Sequence, residues 1–236
     1  MDTQLPYMRQ IRSFILRTGR LTKGQEKALT EQWPRYGIED GDGILDFPTI
    51  FGRHAPVTLE IGFGNGTSLA EMARNMPDRD FLGIEVHTPG VGHLLYLIDE
   101  WQLSNVRVMN SDAVKIIQHR IAEKSLAKVQ LFFPDPWHKK RHKKRRLVQT
   151  EFASLLATKL NDEGKIHLAT DWQDYAKHIV KVMDHHPDFY NLSDTNSPYM
   201  TRPAYRPKTK FEQRGVKLGH GVWDLLYQKR QKQPLK

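Results

Sequence analysis

Residues Val57 to Gly66, VTLEIGFGNG, decide the architecture of this chain. The first five are a short apolar run interrupted by one acid, Glu60, and glycine then occupies positions 62, 64 and 66. Helical character follows from Thr67 to Asn75. A strand running into a glycine turn and then a helix is the opening unit of a parallel sheet with crossover helices. Glycine there lets backbone approach a ligand closely and leaves helix N–H groups aimed at it.

Outward from this unit the pattern repeats. Strands are predicted at 81–86, 106–109, 129–133 and 165–169, with helices at 93–103, 114–123, 151–160 and 175–183 between and after them. Two further strand candidates, 189–192 and 221–228, close the chain as a hairpin-like pair. The sum is a doubly wound α/β sheet, whose ligands sit at the carboxyl ends of the strands near the reversal of strand order. Glu85, Asp112, Asp135 and Asp171 fall at or just past such ends, and Glu60 lies just inside one. Acids ringing one rim suit a cationic, hydroxyl-rich ligand.

The chain has 236 residues, a net charge of +9 and no cysteine. Thiol catalysis, disulfides and cysteine-based zinc sites are excluded, and the composition suits a reducing cytoplasm. No apolar run approaches a membrane span, and the N-terminus lacks a signal-peptide pattern. The 11 histidines form no H-E-x-x-H arrangement, so no metal is expected. Residues 1–50 form a basic extension that lies over, or is flexibly and partly without order joined to, a core domain at 51–236. Its one helical pattern, EKALTEQW, is closed by Pro34. Its arginines contact nucleic acid or make a solvated basic tail; the sequence leaves both open.

The glycine spacing narrows the ligand. Dinucleotide enzymes use G-x-G-x-x-G; here the pattern is Gly62-x-Gly64-x-Gly66 with Glu60 two residues ahead, which resembles the E/D-x-G-x-G-x-G signature of S-adenosylmethionine-dependent methyltransferases. In that reading Gly62 and Gly64 border the cofactor, Glu60 lies near its ammonium group, and Glu85 accepts from the ribose diol. Asp112 accepts from the adenine amino group. Nicotinamide enzymes also place an acid where Glu85 stands, so that residue does not discriminate.

A second stretch carries the reaction. Val129 to Arg146, VQLFFPDPWHKKRHKKRR, begins as a strand and breaks at Pro134-Asp135-Pro136-Trp137. It then becomes a polycation in which only His142 interrupts Lys and Arg between 139 and 146. Two prolines stiffen the turn around Asp135; the bland alternative is an Asp that caps a helix. The basic run suits phosphate contact, which supplies salt-dependent affinity and little base specificity.

FFPDPWHKKRHKKRR, Ala169-Thr170-Asp171, TKFEQRG at 209–215 and RSFILRTGRLTKGQ near the N-terminus together resemble the bacterial tRNA (guanine-N7-)-methyltransferase family. The resemblance spans about residues 7–228. It implies a mostly parallel seven-stranded Rossmann-like methyltransferase sheet, and methyl transfer from S-adenosylmethionine to N7 of the guanosine at position 46 in the tRNA variable loop. It further implies that Glu60, Glu85, Asp112 and Asp135 contact the cofactor, with Asp135 also catalytic. Lys139, Asp171, Thr209, Lys210, Phe211 and Glu212 would contact the guanosine, and Arg141, His142, Lys143, Lys144, Arg145 and Arg146 the tRNA.

The chemistry agrees. Guanine N7 is a lone-pair acceptor without a proton, so no general base is required. Asp135 is expected to orient the base and offset the positive charge that methylation creates, while Asp171 or Glu212 holds the N1–H and amino edge. Two competing readings are a non-catalytic RNA-binding protein on the same fold and a nicotinamide-dependent oxidoreductase.

Overall fold

A computed structural model describes residues 13–14, 19–193, 196–209, 212 and 221–231. The strands are β1 (Val57–Ile61), β2 (Asp80–Ile84), β3 (Val106–Met109), β4 (Leu126–Phe132), β5 (Leu160–Thr170), β6 (Phe189–Asn191) and β7 (Trp223–Lys229). They form one seven-stranded sheet in the order β3-β2-β1-β4-β5-β7-β6. The first five are parallel, and β7 runs antiparallel to both β5 and β6. The order reverses between β1 and β4, which opens the crevice where such sheets bind ligands.

The helices are α1 (Lys23–Tyr36), α2 (Phe47–Phe51), α3 (Thr67–Asn75), α4 (Thr88–Glu100), α5 (Ala113–Arg120), α6 (Thr150–Lys159) and α7 (Gln173–Asp184). β1 is buried along its whole length, as a central parallel strand must be. Val57, Leu59 and Ile61 point into a core built with α5, α6 and α7. Thr58 and Glu60 therefore alternate onto the opposite face, where α1, α3 and α4 build a second apolar layer around Leu69, Met72, Leu94 and Ile98. A carboxylate is thus placed inside the sheet by strand period alone.

Several boundaries differ from expectation. α4 starts at Thr88 rather than His93, because Pro89 is tolerated in a first turn, where its missing N–H has no partner to lose. α1 runs through Pro34 to Tyr36. Thr22 caps it in a two-way capping box with Gln25, and it packs on α4, where Gly92 meets Gln25. The segment after it joins the sheet edge, Ile38 N–H donating to Val108 O at 2.8 Å. α2 was not legible in the acidic turn before it. β5 begins at Leu160, with a register shift against β4 between Leu126 and Lys128.

Candidate active site

The glycine turn and Glu85 form one unit. Glu85 stands just past β2, and its carboxylate accepts three backbone N–H groups, from Gly64 at 2.9 Å, Val86 at 2.7 Å and His87 at 2.9 Å. A carboxylate has about four acceptor positions, so the side chain is held rigidly with capacity left for a ligand. Gly64 has φ 62°, a left-handed conformation that glycine adopts without strain. Gly90 in α4 comes so close that an added Cβ would lie 1.9 Å from Gly64 O. The start of α4 is seated directly on the turn. Asn110 donates to Glu85 O at 2.8 Å and accepts from Thr88, tying the end of β3 to the same corner.

Two cavities meet at this turn. One, of about 520 Å³, is lined by Gly62, Gly64, Glu85, Asp112, Asp135 and others. The second, of about 540 Å³, is lined by Glu60, Ser68, Thr209 and Phe133, and shares Gly62, Gly64, Phe132 and Phe133 with the first. Each has the size of a small-molecule site, typically roughly 300–1,000 Å³. Asp112 lines the first while one of its oxygens caps α5 through Val114 N–H at 2.9 Å. The residue expected at the cofactor is thus also the cap of α5.

Glu60 is only 2% exposed, and one of its carboxylate oxygens has no hydrogen-bond partner. The Ser68 hydroxyl in the same cavity is also unpartnered. Burial, and then repulsion from Glu85, raise the Glu60 pKa to about 8 against an opposing pull from Lys128. An orphaned buried carboxylate is costly unless a donor or cation arrives. The ammonium group of S-adenosylmethionine supplies both, and Glu85 suits its ribose; the residues present fit that cofactor.

Asp135 is exposed and lines the first cavity. Its turn is bracketed by Phe133 (φ 53°) and Trp137 (φ 48°), two non-glycine residues in the left-handed region. Such conformations cost about 1–3 kcal/mol each and persist only where the surroundings impose them. Here Phe133 N–H donates to Ala169 O at 2.8 Å, and Arg146 donates to Pro136 O at 2.9 Å. Trp137 donates to Ser13 O at 3.0 Å and lies under the Arg145 guanidinium at 3.8 Å. Ser13 and Phe14 line the cavity as well, so the extension contributes to its wall.

The basic run forms a short 3-10 helix, Lys140–Arg145. Lys139, Lys140, Arg141 and Lys144 are exposed. Arg146 departs from its expected role in RNA contact. It is buried, ion-paired with Asp174 and stacked 4.9 Å over Tyr175, so its charge acts inside the protein as a clamp on the Asp135 turn. Lys143 also pairs with Asp174, at 2.8 Å.

Asp171 follows β5 and is half-buried. The expectation that Asp171 or Glu212 reads the guanine edge divides here. Glu212 is buried and both its oxygens accept from Arg206, at 2.7 and 3.1 Å. Arg206, itself 0% exposed, also donates to both oxygens of Asp224 in β7. Glu212 is therefore committed to Arg206, and its N–H donates to Thr209 Oγ1 at 3.0 Å. Asp224 accepts from His167, whose other ring nitrogen accepts from the Tyr205 hydroxyl, and burial keeps that imidazole neutral with a pKa of about 4. Lys210 and Phe211 lie outside the described residues. Sequence reasoning missed Arg206, although the lone acid in the apolar strand WDLLY signals a buried cationic partner.

Among the described residues no group of three or more His, Asp or Glu side chains could hold a metal ion, and no helix is long and apolar enough to cross a membrane. A family model, "Putative methyltransferase", matches residues 54–225. The chain is 58% identical over 222 residues to proteins named tRNA (guanine-N(7)-)-methyltransferase from Escherichia coli (strain K12) and Shigella flexneri; the match covers 94% of this chain and 92% of each relative. Among solved structures, the 16S rRNA methyltransferase KamB superposes with a TM-score of 0.54 at 12% identity, over 81% of this chain and 95% of that one. A SAM-dependent O-methyltransferase from Thermotoga maritima does so with a TM-score of 0.51 at 13% identity, over 81% and 69%. At such identities these two similarities speak for the fold alone.

Proposed function

We propose a mechanism from the premise that the chain belongs to the tRNA (guanine-N(7)-)-methyltransferase family, with the two joined cavities as its cofactor and guanine sites. The protein is an enzyme that methylates N7 of guanine in tRNA with S-adenosylmethionine as methyl source. When bound, that cofactor supplies an electrophilic methyl group on a sulfonium centre.

Glu60 holds the ammonium end, Glu85 accepts from the ribose hydroxyls, and the free oxygen of Asp112 accepts from the adenine amino group. Gly62 and Gly64 let the backbone close on the ligand without steric conflict. The observation that carries this reading is the unpartnered buried oxygen of Glu60 beside the turn that Glu85 holds. Asp135 needs no proton from N7, which carries none. Its carboxylate orients the base and offsets the charge that develops on it. With Glu212 committed to Arg206, Asp171 is the acid that accepts from N1–H and the amino group. Lys139 contacts the guanosine, Arg141 and Lys144 contact phosphate, and the extension at 1–50 is an accessory to the domain at 51–236, with Ser13 and Phe14 on the cavity wall. The target is guanosine 46 of the variable loop, and the enzyme works in the cytoplasm, where that tRNA is found.

Transfer of labelled methyl to bulk tRNA followed by nucleoside analysis tests the reading. N7-methylguanosine, mapped to position 46, is expected. Label on another atom, or none, would overturn it, and tighter binding of NAD than of S-adenosylmethionine would favour the oxidoreductase alternative.

A further inference from the structure

Trp172 is the exposed large apolar side chain at the end of β5, 36% exposed, whereas Ile44 and Tyr96 lie away from the strand ends. Its main chain is fixed: the N–H donates to Thr170 Oγ1 at 3.2 Å, and the carbonyl accepts from Tyr175 and Ala176 N–H at 2.9 Å each. The indole meets His138 edge-on, with ring centroids 4.0 Å apart. His138 follows Asp135 by three residues, and Trp172 follows Asp171 by one. The ring pair thus bridges the two loops that carry Asp135 and Asp171, beside the exposed cations Lys139, Lys140 and Arg141.

A base inside folded tRNA is stacked on its neighbours, and an enzyme that works on it must take it out of the stack. An extruded base loses stacking on both faces, and an aromatic side chain restores one of them independently of its edge. We propose that Trp172, backed edge-on by His138, is the stacking platform that receives the extruded target guanine, while edge recognition is left to Asp171. The inference rests on the reading that tRNA guanine is the substrate. It has a further consequence, because methylation at N7 makes the base cationic. A cationic ring is attracted to the indole face, so the platform binds N7-methylguanine more tightly than guanine.

The test uses the full chain with Trp172→Ala and Trp172→Phe. Stacking of one base on an aromatic ring is worth about 1–3 kcal/mol, equivalent to about 5- to 150-fold. The alanine variant is expected to raise KM for tRNA by that factor with S-adenosylmethionine affinity unchanged, and phenylalanine is expected to restore most of the loss. A KM for W172A within twofold of wild type, or a phenylalanine variant no better than alanine, would overturn the proposal. Should the alanine variant fail to fold, fluorescence answers the same question. The difference signal between wild type and W172F reports one indole among five. It should be quenched by tRNA, and by N7-methylguanosine monophosphate more than by guanosine monophosphate; no quenching would overturn the platform. A wild-type enzyme that makes no N7-methylguanosine would instead remove the underlying reading.

Discussion

Arg206 donates to both oxygens of Glu212, at 2.7 and 3.1 Å, and both residues are buried. The same guanidinium holds both oxygens of Asp224, at 2.6 and 2.8 Å. One cation thus ties Glu212 to Asp224 of β7, and the Glu212 N–H donates to Thr209. Removing one partner of a buried ion pair costs about 3–5 kcal/mol, because the charge left behind is desolvated and unpaired. Arg206→Leu is expected to lower stability in denaturant unfolding by that amount and to raise KM for tRNA. Glu212→Gln, which keeps one acceptor oxygen, should do less of both. Equal guanosine affinity in all three proteins would remove the anchoring role.

If Glu60 holds the cofactor as proposed, binding is a proton-linked event. Its folded pKa of about 8 lies above the ordinary carboxylate value because burial, and then Glu85, disfavour the charged form. Between the ordinary value and about 8 the folded state holds more protons than the unfolded one, so stability of the free protein falls as pH rises through that window. An ammonium ligand prefers the ionised form. Affinity for S-adenosylmethionine should therefore strengthen as pH rises from 6 to 8.5, with a proton released from Glu60. Calorimetry in buffers of different ionisation enthalpy measures that proton. Glu60→Gln should abolish both the release and the decline in stability, and a Gln variant that keeps them would show that another group titrates.

The Asp135 turn depends on Asp174 through Arg146. Hydrogen bonds from Lys143 and then Arg146 depress the Asp174 pKa to about 2. The stabilisation is fully present above the ordinary Asp value and is lost as pH falls from about 4 toward 2. Asp174→Asn leaves Arg146 buried without its counter-ion and loosens the carbonyl it holds at Pro136. Displacement of a catalytic group by an ångström can cost about 10²-fold. A fall in kcat approaching that factor, with cofactor affinity retained, is the expected result in steady-state kinetics.

How much of this could be read from the residues follows from their range of interaction. The places of Glu60, the glycines and Glu85 on strand, turn and strand end were legible because strand period and turn chemistry act over a few positions. Helix α3 was placed at its true ends for the same reason. The start of α4 was missed because the signal at Pro89 is shared with loops. Arg146 was indistinguishable from Arg141 within a run of like charges, since only the fold decides which side chain turns inward to Asp174. Arg206 and Trp172 were missed for a related reason. Their meaning lies in partners 6 to 34 positions away, Glu212 and His138, that no local pattern brings together.

The exposed cations divide from the internal ones in a measurable way. Each phosphate contact removed should reduce the slope of log affinity against log salt by about 1. Arg141→Ala with Lys144→Ala is therefore expected to flatten the slope for tRNA by about 2 without changing cofactor binding. An unchanged slope would place the RNA elsewhere on the surface.

The central claim is that the charge of Asp135 offsets the charge developing on guanine, and single-turnover methyl transfer at saturating S-adenosylmethionine tests it most directly. Removing a group that stabilises transition-state charge typically costs about 10²–10³-fold. Asp135→Asn keeps the turn, the size and one acceptor oxygen while removing the charge. A rate reduced by about that factor, with tRNA and cofactor still bound, is the predicted result; a rate near that of the wild type would contradict it.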